Sequence, residues 1–320
     1  MSYPRLISLA LMLTYLLIIV GGATRVFDAG VSCPDWPHCY GALIPFPESS
    51  IPGGYFVGTT HFEWWQVALE WSHRTLASIV SLCLIVIVFV ALRTRRAMPL
   101  ERKPLIAAVS LLILQIALGG LTVLKLNIHW SVVLHLGTAM LFFASLAWLR
   151  RSVASGGFRE PISPPRITRI AVYAFALFVW ATMLVGAFVS SSHSGGVCGG
   201  LFSCAGSWSP IWDAADLQQH SHMQHRIMAC TTLILSIILL ILAKRTAPQL
   251  RPSAIHGHVM VWGQVALGIA TLYSFASYPE YYPLLSVAHL AWGTLVWLAA
   301  VGIILNLHFG KHGRFHDRAH

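Results

Sequence analysis

Four histidines hold matched places in the chain: His73 and His135, then His225 and His289, at offsets of 152 and 154 residues (225 − 73 and 289 − 135). Each lies a few residues inside a long apolar run, where an ionisable side chain is rare and functional by default. A single buried histidine is more often a satisfied core residue than a ligand, but four at matched places argue for ligation. Two imidazoles with no carboxylate or thiolate to complete a tetrahedral or octahedral set suit axial ligation of haem iron better than zinc or copper. Two histidines on one iron also leave it no open position.

The neighbours sharpen this expectation. Arg74 and Arg226 each follow a histidine directly. A charge in a span requires a partner, and haem propionates would meet a guanidinium in fork geometry. The competing assignment is an arginine that reaches the near interface or pairs with a loop carboxylate. Glu70 lies three residues before His73 on the same helical face, whereas His222 stands at that place before His225. A carboxylate beside iron can move protons or stabilise a developing cation, so the half with Glu70 is expected to be the reactive one; a structural glutamate bonded to a loop amide is the alternative. Gly119, Gly120, Gly137, Gly268 and Gly293 would let a flat macrocycle lie between backbones, or simply let helices pack.

These residues require membrane helices to position them. The 320 residues are 56% hydrophobic and only 10% charged, against roughly a quarter charged in soluble domains. Eight runs approach the about 20 apolar residues of a membrane helix: 6–23, 67–92, 105–124, 131–149, 169–189, 218–243, 254–275 and 285–307. The fold class is all-α integral membrane. The net charge of +10 does not mark a nucleic-acid partner, because 17 of the 21 Lys and Arg fall in alternate connections and at the termini, while the opposite connections hold only Arg25 and Lys125. By the positive-inside rule both termini are cytoplasmic and the histidines lie toward the outer face of the plasma membrane, at a common depth of about 6–10 Å.

The chain also repeats. Val20-Gly21 returns as Val185-Gly186, Gln115-Ile-Ala-Leu-Gly119 as Gln264-Val-Ala-Leu-Gly268, and His73-Arg74 as His225-Arg226. Four helices per half bring the second half back in the same orientation, giving a parallel repeat of two pseudo-symmetric four-helix bundles. The expected divisions are 1–150, a linker at 151–168, 169–307, and a cytoplasmic tail at 308–320 whose His308, His312, His316 and His320 read as a solvated end. Cys33/Cys39 and Cys198/Cys204 are both C-x5-C in outward loops, where an oxidising compartment permits disulfides. Two bridges are expected, each within its own loop; a redox-active dithiol or a metal site is the alternative, and x5 matches zinc spacing poorly. Cys83 and Cys230, in spans, read as packed apolar residues.

Taken together, Gly21-Gly-Ala-Thr-Arg25, the Cys-Pro-Asp-Trp-Pro-x-Cys loop, Glu70-Trp-Ser-His73-Arg74, His135, the second cysteine pair, Gln224-His225-Arg226 and His289 resemble the heme A synthase family over nearly the whole chain. The resemblance implies oxidation of the methyl group at ring position 8 of haem O to a formyl group. It assigns His73 and His135, with Glu70, to the substrate haem O, and His225 and His289 to a haem b cofactor. It also implies a haem O synthase upstream, and it is compatible with a quinone or other redox partner and with a homo-oligomer. Two other classes stay open on the residues alone. A di-haem b-type electron carrier would leave both haems unmodified and give Glu70 no duty, and a transporter would place its ionisable groups near mid-membrane.

Overall fold

The computed structural model describes residues 2–94, 99–155, 161–201, 203–204 and 217–310. Once a chain this apolar enters lipid, its backbone can satisfy its hydrogen bonds only internally, and helices are the solution. Among the described residues eight form: α1 (Tyr3–Val26), α2 (Trp64–Arg93), α3 (Pro99–Leu124), α4 (His129–Ala154), α5 (Arg166–Ser191), α6 (Leu217–Thr246), α7 (Arg251–Ser277) and α8 (Tyr282–Phe309). All eight are long and apolar enough to cross a membrane. They match the expected spans in order and overrun them by a few residues at most ends. The chain is an all-α multi-pass membrane protein.

The overrun has local causes. Helix α2 starts early because Glu63 and Gln66 form a capping box, the Gln66 side chain accepting from the Glu63 N–H at 3.1 Å. Helices α4 and α5 extend to Ala154 and from Arg166, so the connection between the halves is shorter than 151–168; residues 156–160 fall outside the described residues. Helix α8 stops at Gly310, whose φ of 71° suits glycine. His308, in its last turn, is exposed as expected and shares a 2.7 Å hydrogen bond with the Tyr173 hydroxyl. Residues 311–320 of the tail lie outside the described residues. Cys83 is partly buried as expected, but Cys230 is exposed on α6.

Helices α1, α4, α5 and α8 form a central spine, and α2, α3, α6 and α7 are added outside it. Indole N–H groups tie the spine together: Trp297 of α8 donates to the Met140 carbonyl of α4 at 2.8 Å, and Trp180 of α5 donates to the Gly137 carbonyl of α4 at 3.2 Å. Gly137 is a packing glycine, since a Cβ there would stand 2.7 Å from Leu184. The loop end is the end where α1 turns into α2, α3 into α4, α5 into α6 and α7 into α8; the other is the terminal end. Apolar cores fill the terminal-end part of both halves. One joins Ile7, Val80, Leu84, Ile87, Leu105, Ala108 and Leu146, and the other joins Phe175, Leu239, Ala254, Trp297 and Ile303. The histidines lie toward the loop end, beyond those cores.

The halves differ in closure. In the second half α5, α6, α7 and α8 close a ring in which each helix packs along two others. In the first half α2 leans on α1 and α3 on α4, but α2 and α3 barely meet, so the ring is open between them. The first loop is also elaborated. It carries a short antiparallel hairpin, Phe56–Val57 with Thr60–His61, and a small core of Cys33, Cys39, Ile51, Tyr55, Phe62 and Val67.

Gly137→Leu tests the spine. The added volume starts against Leu184 and Trp180, and overpacking of this kind costs about 1–3 kcal/mol. The detergent-solubilised protein is expected to unfold at a lower temperature, whereas Gly302→Ala, with open space around its Cβ position, should not fall.

Candidate active site

Each histidine stands on a helix whose preceding partner offers a glycine. A Cβ on Gly21 of α1 would lie 2.7 Å from the His73 ring, on Gly119 of α3 3.2 Å from His135, on Gly186 of α5 2.9 Å from His225, and on Gly268 of α7 3.1 Å from His289. Glycine is what lets the imidazole settle against the neighbouring backbone. Gly119 and Gly268 therefore seat rings, while Gly293 faces Gln264 and Gly120 faces Trp36. Gly21 and Gly186 are seats that the sequence marked by a repeated Val-Gly without showing what they face.

The imidazoles are held in two ways. His225 Nδ1 lies 3.2 Å from the Thr182 carbonyl, whereas His73 Nδ1 is buried with no hydrogen-bond partner. A carbonyl on Nδ1 fixes the tautomer that leaves Nε2 as the ligating atom. On α4 and α8 a glutamine amide nitrogen approaches Nε2 instead, Gln115 to His135 at 3.3 Å and Gln264 to His289 at 3.1 Å. The other polar atoms of these two pairs, His Nδ1 and Gln Oε1, are buried without a partner. Unpaired polar atoms carry a desolvation cost of about 1–3 kcal/mol each, so both clusters suit a ligand that takes up their polarity.

His225 and His289 face each other with ring centroids 6.3 Å apart and planes at 77°. Two imidazoles on opposite sides of one metal, each at about 2 Å, place their centroids about 6 Å apart. Among the described residues no three His, Cys, Asp or Glu side chains come together as a metal cluster. A paired site without a third ligand fits haem, whose porphyrin supplies the remaining donors, and does not fit a protein-only zinc or copper centre. His73 and His135 occupy the corresponding helices of the first half, each against its own glycine.

Both disulfides are formed, Cys33–Cys39 and Cys198–Cys204. The arginines turn toward these loops. Arg74 donates to the carbonyls of Cys33 (3.1 Å), Asp35 and His38, and to Glu70 Oε1 at 2.7 Å. Arg226 donates to the carbonyls of Cys198 (2.6 Å), Gly200 and Leu201, and meets His222 Nε2 at 3.2 Å. In both halves the guanidinium clamps the disulfide loop to the histidine-bearing helix. Glu70 is buried, 4% exposed, and completes the clamp in the first half: its Oε2 accepts from the Ser32 N–H at 3.0 Å. The loop amide foreseen as an alternative partner is therefore present, together with Arg74. Ser32 carries no signal in the sequence. His222, also buried, takes the corresponding place beside Arg226 with its Nδ1 unpartnered.

The profile of the cytochrome oxidase assembly protein family matches residues 4–301. The chain belongs to this family. It is similar to proteins named heme A synthase from Shewanella oneidensis, 29% identical over 85% of this chain and 88% of the relative, from Rhizobium johnstonii, 28% identical over 82% and 79%, and from Shouchella clausii, 25% identical over 81% and 83%. Membership in the cytochrome oxidase assembly family agrees with a paired haem-type site and gives neither alternative class any support of its own.

Two predictions follow from the loop contacts. Lysine cannot replace the planar fork, so in Arg74→Lys the Cys33–Cys39 bridge is expected to be reduced and alkylated several-fold faster while Cys198–Cys204 is unaffected, with Arg226→Lys giving the converse by peptide mapping. Tyr40, beside the first disulfide, has its phenol pushed up to about 12, chiefly by burial and then by the negative groups of Tyr55, Glu70, Glu48 and Asp35. Its folded pKa exceeds the free value of about 10, so its contribution is complete below about pH 10 and is lost as pH rises toward 12. Tyr40→Phe should flatten that alkaline loss of stability.

Proposed function

We propose that this protein is a heme A synthase: it oxidises the ring-position-8 methyl of haem O to a formyl group through an alcohol and its hydrate, supplying haem A to cytochrome oxidase. The observation that carries the reading is the duplicated histidine pair, each ring seated on a glycine, with a carboxylate beside only one of the two. Family membership and the named relatives agree with it.

The second half, a closed ring with no carboxylate at the His222 position, is assigned to the resident cofactor: His225 and His289 would hold haem b. Haem b bound there supplies one-electron transfer. The first half is assigned to substrate, with His73 and His135 gripping haem O. Glu70 approaches from the loop side, its two oxygens fixed by Arg74 and the Ser32 amide, so a proton or positive charge developing on the substrate meets a carboxylate whose position is already set. Arg74 and Arg226 act on the haems mainly through the loops they clamp, with one N–H of each guanidinium left for a propionate. The disulfide loops close over the outer side and limit water. Haem O synthase is the upstream partner, and a quinone or comparable group is the redox partner. The distribution of Lys and Arg supports a plasma-membrane location with both termini cytoplasmic.

Chromatographic identification of haems extracted from the purified protein, expressed with and without a haem O synthase, tests the assignment. Haem b alone without the synthase, and haem A or its alcohol precursor with it, is the expected result; unchanged haem b in both would instead show an electron carrier. Glu70→Ala should stall conversion at haem O or the alcohol by at least about a hundredfold with the haem b spectrum intact, whereas His289→Ala should lose haem b itself.

A further inference from the structure

The two halves carry the same histidine grip yet close differently. In α5–α8 the ring is sealed, as suits a group that stays. In α1–α4 the ring is open between α2 and α3. These helices share a core only toward the terminal end, through Val80, Leu84, Ile87 and Ala91 of α2 with Leu105 and Ala108 of α3. Toward the loop end, at the level of His73 and His135, no buried apolar cluster of the described residues joins them.

The outer end of this gap is covered. Trp36 sits in the Cys33–Cys39 loop, which Arg74 fastens to α2 through the Asp35 and His38 carbonyls. Its indole lies over Gly120 of α3, where a Cβ would stand 3.6 Å from the ring. Gly120 is next to Gly119, the seat of His135. One side chain anchored on α2 thus bridges to α3 across the mouth. The corresponding residues of the second half, at offsets of 165 and 149, are Leu201 and Ile269, so the indole-on-glycine pairing is not repeated where the ring is already closed.

We propose that the gap between α2 and α3 is the lateral entrance through which haem O passes from the bilayer to His73 and His135, and that Trp36 on Gly120 is its outer cover. This rests on the assignment of α1–α4 to substrate. A substrate must arrive and a product leave at every turnover, which a closed ring forbids. The disulfide loop and Trp36 shut the route from the water side, leaving the side facing lipid. The exposed flanks of the two helices are apolar, with Ile79 and Leu82 on α2 and Ile113 and Ile116 on α3, as an isoprenoid-bearing macrocycle dissolved in lipid requires.

The test joins the two helices. In a Cys83→Ser, Cys230→Ser background, Ser72→Cys on α2 and Ile116→Cys on α3, both at exposed positions, are linked with a bifunctional thiol reagent in the full-length, haem b-containing protein in nanodiscs, and haem O is delivered from donor vesicles. Linked protein is expected to take up haem O about tenfold more slowly or worse, as read by the Soret change, with haem b unaltered. Protein linked after loading should retain haem O. Trp36→Ala should hasten both uptake and loss of haem O without changing the haem b content. Unchanged uptake in both the linked protein and Trp36→Ala overturns the entrance. If His73→Ala still abolishes haem O binding, the substrate assignment survives that result; if His73→Ala binds haem O normally, the assignment falls and the entrance with it.

Discussion

A guanidinium at the edge of a membrane must be given acceptors, and in both halves of this protein the acceptors are the carbonyls of a loop closed by a disulfide. That constraint orders much of the loop end. Carbonyls converge on one cation only if the loop is tightly curved, and the Cys33–Cys39 and Cys198–Cys204 bridges hold it so. Because Arg74 and Arg226 directly follow His73 and His225, fastening the loop also fixes the rotation of the histidine-bearing helix. Each ring is then brought against the glycine of the helix before it. Glu70 adds charge balance in the first half, and through Ser32 ties the loop's first turn to the same helix.

Duplication supplied two equal grips, and divergence was confined to what surrounds them. His222 replaces Glu70, Leu201 replaces Trp36, and Ile269 replaces Gly120. The helix packing diverged in parallel, one ring sealed and the other parted. The shared spine of α1, α4, α5 and α8 allows this, since α2 and α3 hang on its outside and can separate without disturbing the contact between halves.

How much of this was legible in the sequence follows from what each signal encodes. Hydrophobic runs and basic flanks report position along the membrane normal, so the spans and the common depth of the four histidines were readable. Recurrence exposed the repeat, and loop spacing the disulfides. Rotation about a helix axis is weakly encoded in an evenly apolar span, which is why the gap between α2 and α3 and the role of Gly21 and Gly186 were not. The partners of Arg74 escaped for another reason: backbone carbonyls exist at every residue, so a side chain that seeks them leaves no compositional mark. The partners expected for Arg74, a propionate or a loop carboxylate, are both groups with a recognisable charge.

The pairing of one glycine with one histidine follows the chain strictly: Gly21 with His73, Gly119 with His135, Gly186 with His225, Gly268 with His289, always on consecutive helices. The elementary unit is thus the helical hairpin, present four times, and a half-bundle is two such units facing each other. Hairpins can form as they insert, before the bundle assembles around them. Each imidazole is consequently oriented by contacts within its own hairpin, and what remains for the late stage of assembly is to bring two hairpins together. The geometry of each pair is thus divided between two hairpins, so each imidazole is set against its glycine independently of the other.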